Sequence, residues 1–257
     1  MNAAWIRNAV VGVGLRFGVQ IRSRKHLLSE RFRRQLALRE IELVVDVGAN
    51  EGQFGAELFG TGYRGILVSF EPVPHVHEAL ARRASSTGTN WIVAKPVALS
   101  DREGTAEITV AGATALSSLL PATDLLRSLN TTASAAETVE VPLRTLAAEL
   151  GHYLDPLPGR YALKIDTQGT ELEVLKGASL ADGRVELILL ELSLAELYSG
   201  QSLYFDVDET LRRSGFVLVD VEPGYRSSGD QLFQFDAIYA RRRPGEYEVP
   251  RDAEKIS

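Results

Sequence analysis

The segment Asp46-Val47-Gly48-Ala49-Asn50-Glu51-Gly52 combines small residues with acids. Its glycines permit a tight turn and a close backbone approach to a ligand. Glu71 stands about 25 positions beyond Asp46, the separation at which an acidic side chain holds a ribose diol in nucleotide-binding βαβ units. Together these features predict an adenosine-containing ligand. Gly48 and Gly52 do not complete a three-glycine dinucleotide pattern, and the sequence has no Gly-Lys-Ser/Thr phosphate loop. A pyrophosphate in this turn would meet the charges of Asp46 and Glu51. S-adenosylmethionine carries a sulfonium and an ammonium instead, and an acidic turn suits it.

A second group of reactive residues lies farther along. Lys164 and Asp166 are two apart on one strand, hence on one face, and Glu191 falls near the end of the next strand. A lysine in an apolar strand is costly unless paired. One reading is a buried ion pair of Lys164 with Asp166 or Glu191. The other makes Asp166 a general base, with Lys164 orienting the acceptor or stabilising an alkoxide. A divalent ion on Asp166 and Glu191 is a third reading, with only two carboxylates behind it. Glu171 reads as a helix N-terminal charge. The four histidines are poorly placed for catalysis: His26 in a basic arm, His75 and His77 opening a helix, His152 in a turn.

These residues need strand ends to carry them. Apolar strands are expected at 43–47, 65–70, 91–99, 161–166, 185–192, 216–221 and 235–240, separated by helical patterns. Residues 74–84 place Val76, Ala79, Leu80 and Ala84 on one helix face. Thr170 to Glu173 fits a capping box, and Asp206 to Glu209 offers another cap. Residues 104–142, rich in Ser, Thr and Ala, read as an insertion without a core of its own. Strands alternating with helices imply a mostly parallel seven-stranded sheet covered on both faces, with ligands at the carboxyl ends of its strands.

The motifs, in order, resemble those of the FkbM-type methyltransferases. They are Asp46 to Gly52, Phe70-Glu71-Pro72, Ala98-Leu99-Ser100-Asp101, Ser117-Ser118-Leu119, and Leu163 to Glu171 with Val174-Leu175-Lys176-Gly177. The match covers about residues 43–240. It implies a Rossmann-like class I fold, S-adenosylmethionine as cofactor, and O-methylation of a sugar, glycolipid, polysaccharide or natural-product hydroxyl. By position, Asp46, Gly48, Ala49, Asn50, Gly52 and Phe54 would surround the methionine part. Glu71 and Pro72 would hold the ribose, Ala98, Leu99, Ser100 and Asp101 the adenine. Ser117, Ser118 and Asp166 would line the site. Two positions depart: Ala147 follows Thr145-Leu146 where relatives often have Asp, and Gln168 stands where many have Glu. Methyl transfer to an alcohol is an in-line displacement that also needs a base, so Asp166, Lys164 and Glu191 are the expected catalytic residues. N-methylation and a non-catalytic or NAD-type nucleotide-binding protein remain alternatives.

Composition sets the outer limits. The chain has 257 residues, 45% hydrophobic and 24% charged, which is ordinary globular composition. No cysteine is present, excluding disulfides, thiolate metal sites and a cysteine nucleophile. No secretory signal and no run of ~20 apolar residues is found, so a cytoplasmic protein is expected. The net charge of −6 conceals a split: residues 1–40 hold nine Lys/Arg and only Glu30 and Glu40 as acids, so a +7 arm precedes a −13 body. The expected organisation is a basic helical arm over 1–42, a catalytic domain over 43–243 and a tail over 244–257. The arm reads as a helical extension packing on the core or on a second subunit. A second reading is an interfacial helix, with Trp5, Ile6, Val10, Val13 and Phe17 toward lipid at the inner face of the membrane. Nucleic acid is not expected as a partner, because the acidic body would repel a phosphate backbone and no recognised binding module is present.

Overall fold

The computed structural model describes residues 27–243 and Gly245. The chain runs through α1 (Leu28–Leu38), β1 (Leu43–Val47), α2 (Gln53–Gly60), β2 (Ile66–Phe70), α3 (Pro74–Thr87) and β3 (Trp91–Val93). It continues with β4 (Ala98–Leu99), β5 (Gly104–Ala111), α4 (Asp124–Leu129), β6 (Ala135–Arg144) and α5 (Leu146–Glu149). The last part is β7 (Tyr161–Ile165), α6 (Glu171–Gly177), β8 (Val185–Ser193), α7 (Tyr204–Arg213), β9 (Phe216–Pro223) and β10 (Gln234–Arg241).

Seven strands form one sheet in the order β3-β2-β1-β7-β8-β10-β9. All neighbours are parallel except β10, which runs antiparallel to both β8 and β9. The strand order reverses between β1 and β7, so the crevice outside their carboxyl ends is the topological switch point. Both faces are covered. Leu43, Val45, Leu163 and Ile165 point toward α6 and α7, packing with Val174, Leu175, Val207 and Leu211. Val44, Ala162 and Leu187 point the other way, against Phe32, Leu36, Leu58 and Leu80 of α1, α2 and α3. Double coverage is why β1 and β7 are buried along their whole length.

Several expectations change here. The third strand stops at Val93, and Ala98–Leu99 leaves the main sheet. Ala94 N donates the last ladder bond to Ser69 O, and Pro96 has no N–H to continue it. β4 instead pairs with β6, and β6 with β5, in a separate three-stranded sheet. That sheet therefore reaches beyond 104–142 on both sides. Its apolar residues Ala98, Ile108, Val110, Val141 and Leu143 close only by borrowing Val73 and Val76 from around α3.

The capping box at Thr170 does not form, because that side chain makes no cap bond. Asp206 lies inside α7, where it accepts from Leu203 N (3.1 Å). Thr145 does cap α5, accepting from Ala148 N (3.3 Å), so the helix after Leu146 starts normally despite Ala147.

The boundary at residue 43 also moves. α1 belongs to the domain, because Phe32 and Leu36 are buried in the sheet-facing cluster. Arg31 pairs with Asp220 (2.7 Å) and Glu222 (2.9 Å) on β9. Trp5, Ile6, Val10, Val13, Phe17 and His26 lie outside the described residues, as does nearly all of 244–257.

Candidate active site

The turn after β1 is shaped by close packing on β7. Gly48 has φ +70°, and a Cβ there would lie 1.9 Å from Asp166 O, so only glycine fits. Gly48 N and Ala49 N both donate to Phe70 O, tying the turn to the end of β2. Gly52 (φ +83°) packs on Leu80 and Trp91 instead, where it lets α2 start close to β3.

Glu71 sits where these segments meet. Its carboxylate accepts from Asn50 N (2.9 Å) and Val73 N (3.0 Å), and the residue is 6% exposed. Burial pushes its pKa up to about 7, although the two backbone N–H groups pull the other way. Thr114 Oγ1 donates to Asn50 Oδ1 (3.0 Å), closing the insertion over the turn.

These elements enclose a cavity of about 640 Å³ that opens to solvent. Of the residues expected from sequence, Gly48, Asn50, Glu71, Pro72, Ala98, Leu99, Ser117 and Asp166 line it. Its walls also include Val97 just before β4, Ile108 of β5, Thr114, Ala115 and Leu119 from the segment after β5, and Thr167, Gln168 and Thr170 from the β7–α6 loop. Sequence reading passed over these. The only available signal was their place in the quoted motifs or in the insertion.

The other expected residues stand behind the walls. Asp46 is fully buried, and Ala49 is in the core under α1. Phe54 packs edge-on against Phe32. Ser100 N donates to Arg144 O, and a Cβ on Gly177 would meet Ser100 O, so this segment is wedged against α6. Asp101 pairs with Arg102 (3.1 Å). Ser118 Oγ donates to Gln168 O (2.7 Å) and holds the β7–α6 loop. Glu51 turns toward Arg83.

Lys164 has a partner that the sequence reading did not name. Register places it beside Asp46, on the same face of the sheet. Its Nζ lies 3.1 Å from Asp46 Oδ1 and donates to Gly48 O (2.9 Å), whereas Asp166 Oδ2 is 3.7 Å away. The Phe54 ring centre is 5.7 Å from Nζ. No salt bridge joins Lys164 to Glu191. Burial pulls the ammonium down, but Asp46, Asp166 and Glu191 together outweigh it and hold Lys164 above the ordinary lysine value. A short chain continues behind it: Trp91 Nε1 donates to Ser69 Oγ (3.0 Å), which donates to Asp46 Oδ2 (3.1 Å).

Asp166 is the open carboxylate, with its side chain 39% exposed. Gln168 Nε2 donates to Asp166 Oδ1 (2.7 Å) and to Glu191 Oε2 (2.8 Å). Gln234 Nε2 also donates to Glu191 Oε2 (2.6 Å). Burial, then the charges of Asp166 and Asp236, push Glu191 well above the usual carboxylate range. Asp236, opposite Glu191 in register, is pushed up to about 6, first by burial and then by Asp166. Glu171 is the expected acid in the first turn of α6, and it also closes the loop before the helix: it accepts from Thr167 N (3.0 Å), Thr167 Oγ1 (3.1 Å) and Gly169 N (3.1 Å). His75 faces Glu137, and His77 Nε2 bonds Ala94 O (2.7 Å). Among the described residues, no group of three or more His, Cys, Asp or Glu side chains is arranged to hold a metal.

A solvent-open cavity at the switch point, with a buried acid after β2 and an open carboxylate after β7, fits the resemblance read from the motifs. The model of the methyltransferase FkbM domain matches residues 46–218. The chain belongs to the FkbM methyltransferase family. Its seven-stranded order is that of the Rossmann-like class I methyltransferase fold. No curated protein matches the methyltransferase's sequence. Solved structures similar to it include the Burkholderia thailandensis 1,6-didemethyltoxoflavin-N1-methyltransferase, at 14% identity and TM-score 0.43, covering 94% of this chain and 89% of that one. The magnesium protoporphyrin IX methyltransferase of Synechocystis has 12% identity and TM-score 0.44, covering 94% of this chain and 100% of that one. The 23S rRNA methyltransferase ErmE has 14% identity and TM-score 0.43, covering 86% and 69%.

Proposed function

We propose that this methyltransferase uses S-adenosylmethionine to methylate a hydroxyl of a sugar, glycolipid, polysaccharide or natural-product acceptor, with Asp166 as the base. One observation carries the reading: a single cavity holds the buried Glu71 at its wall and the half-exposed Asp166 facing it.

The donor set fits the cofactor. When ionised, Glu71 can accept both hydroxyls of a ribose, because its two backbone N–H bonds aim its oxygens without using all their lone pairs. Val97, Ala98, Leu99 and Ile108 give adenine an apolar slot. Gly48 and Asn50 leave room for the methionine part. The cofactor supplies an activated methyl group on a good leaving group. The chain must position the acceptor oxygen and take its proton. Asp166 accepts that proton as the acceptor oxygen forms its bond to the methyl carbon. Lys164 stays behind the wall, charged, bracing the β1 turn through Gly48 O and Asp46. Its Nζ lies 3.7 Å from Asp166 Oδ2.

Replacing Asp166 by Asn tests the assignment. The variant keeps S-adenosylmethionine affinity within about twofold and loses methyl transfer by about 10²-fold or more. Normal turnover removes Asp166 from the mechanism. Transfer to amines but not to alcohols would favour N-methylation. We further propose that residues 1–26, with five Lys/Arg and no acid, deliver the enzyme to an anionic lipid surface at the inner face of the membrane. Among the described residues, no helix is long and apolar enough to cross a membrane.

A further inference from the structure

We propose that Gln168 is a positioning residue of this active site: its side-chain amide clamps Asp166 to Glu191 and leaves Asp166 Oδ2 as the oxygen offered to the acceptor. The proposal deepens the reading of Asp166 as the base and rests on it.

Both polar atoms of the Gln168 side chain are committed. The amide nitrogen has two hydrogens, and it reaches Asp166 Oδ1 at 2.7 Å and Glu191 Oε2 at 2.8 Å. The amide oxygen accepts from Tyr198 OH (3.1 Å), and the backbone oxygen accepts from Ser118 Oγ (2.7 Å). A flipped amide would set its oxygen against two carboxylates and face its N–H groups toward the hydroxyl, so one orientation is strongly preferred. Tyr198 itself is 1% exposed, which fixes the hydroxyl that holds the amide.

The backbone is bent to allow this. Gln168 has φ +55° and Gly169 has φ +112°. A long side chain in the left-handed region is uncommon and strained. The chain tolerates that strain at the loop that carries the candidate base.

The clamp acts on one oxygen of Asp166 and spares the other. Oδ1 is held by the amide, while Oδ2 faces Lys164 at 3.7 Å, beyond hydrogen-bond range. The clamp also lets two carboxylates stand side by side at the ends of neighbouring strands. A single neutral amide donates to both, offsetting repulsion that would otherwise turn Asp166 away. The hydroxyl of Tyr198 lies 3.0 Å from Leu116 O as well. Leu116 ends the short 3₁₀ turn Thr114–Leu116, whose Thr114 and Ala115 line the cofactor cavity. The clamp is thus anchored to the same segment that closes over the cofactor.

The test is a side-chain carboxyl ¹³C NMR titration of the full chain, read at Glu191. The groups around Glu191 are Asp166 after β7, Asp236 on β10, Glu171 on α6, Lys164 on β7, the Tyr198 hydroxyl, and the Gln168 and Gln234 amides. Gln168→Met keeps the length and removes both donors. Glu191 then titrates about one pH unit higher than in the wild type, the worth of one hydrogen bond to a charged group. Tyr198→Phe loosens the amide without removing it and moves Glu191 in the same direction by less. It carries the test if Gln168→Met does not fold. S-adenosylmethionine binding, measured by calorimetry, stays within about twofold in Tyr198→Phe, whose side chain does not line the cavity. Superimposed Glu191 curves for the wild type and the folded variants overturn the clamp. Failure of the wild type to bind S-adenosylmethionine overturns the proposed function and leaves the clamp standing.

Discussion

Asp46→Asn separates a structural lysine from a catalytic one. Asp46 is fully buried and Lys164 is 8% exposed, so the pair sits in the core of the sheet. Asn keeps the shape but has one acceptor oxygen where Asp46 uses two, for Ser69 Oγ and for Nζ, and it removes the charge facing Nζ at 3.1 Å. The ammonium then keeps Gly48 O at 2.9 Å and the more distant Asp166 at 3.7 Å. Breaking a buried pair typically costs 3–5 kcal/mol. The surviving neighbours place the expected loss near the lower end, at about 3 kcal/mol. For a chain of this size, that lowers Tm by roughly 6–12 °C. Urea unfolding and scanning calorimetry of the full chain measure it. The double variant Asp46→Leu with Lys164→Met removes both charges and should lie within about 1 kcal/mol of the wild type, since buried pairs are often replaceable by apolar residues. A loss below about 0.5 kcal/mol for Asp46→Asn, or a double variant worse than the single one, would refute the reasoning.

Three further outcomes are expected. Glu71 has a pKa raised to about 7, and ribose hydroxyls favour its ionised form. S-adenosylmethionine affinity therefore falls about tenfold per pH unit below 7 in titration calorimetry, and Glu71→Gln is weaker and flat over the same range. The same group has a stability signature of opposite sense. Its contribution is full below about 4.5 and is lost as pH rises toward 7, so the Tm of the ligand-free wild type drops across that window more than that of Glu71→Gln. Flotation with vesicles containing anionic lipid should carry the full chain but not a chain beginning at Leu27; equal flotation of both would sink the lipid reading.

The strand-end rule made much of the site legible. Gly48, Asn50, Glu71, Ala98, Leu99 and Asp166 are distant in sequence, yet each follows or ends a strand, and the sheet order brings them to one cavity. What escaped was register and backbone hand. The Lys164–Asp46 pair depends on β1 lying beside β7 with those two residues opposed, which no local pattern encodes. The double bond of Gln168 depends on two consecutive residues with positive φ, and only the glycine signalled that. Thr170 looked like a cap because its spacing to Glu173 is right, but Glu171 takes the loop N–H groups first. β4 was read as part of β3 because apolar residues flank Pro96 on both sides. The helical character of the arm was legible, whereas the docking of α1 on the sheet was not, since Arg31 finds Asp220 and Glu222 about 190 positions away.

Titration calorimetry of the full chain at pH 8, where Glu71 is ionised, is the measurement on which the cofactor assignment turns. S-adenosylmethionine is expected to bind at one saturable site, and NAD under the same conditions is expected to give no binding heat. Binding of NAD with no binding of S-adenosylmethionine would contradict the assignment.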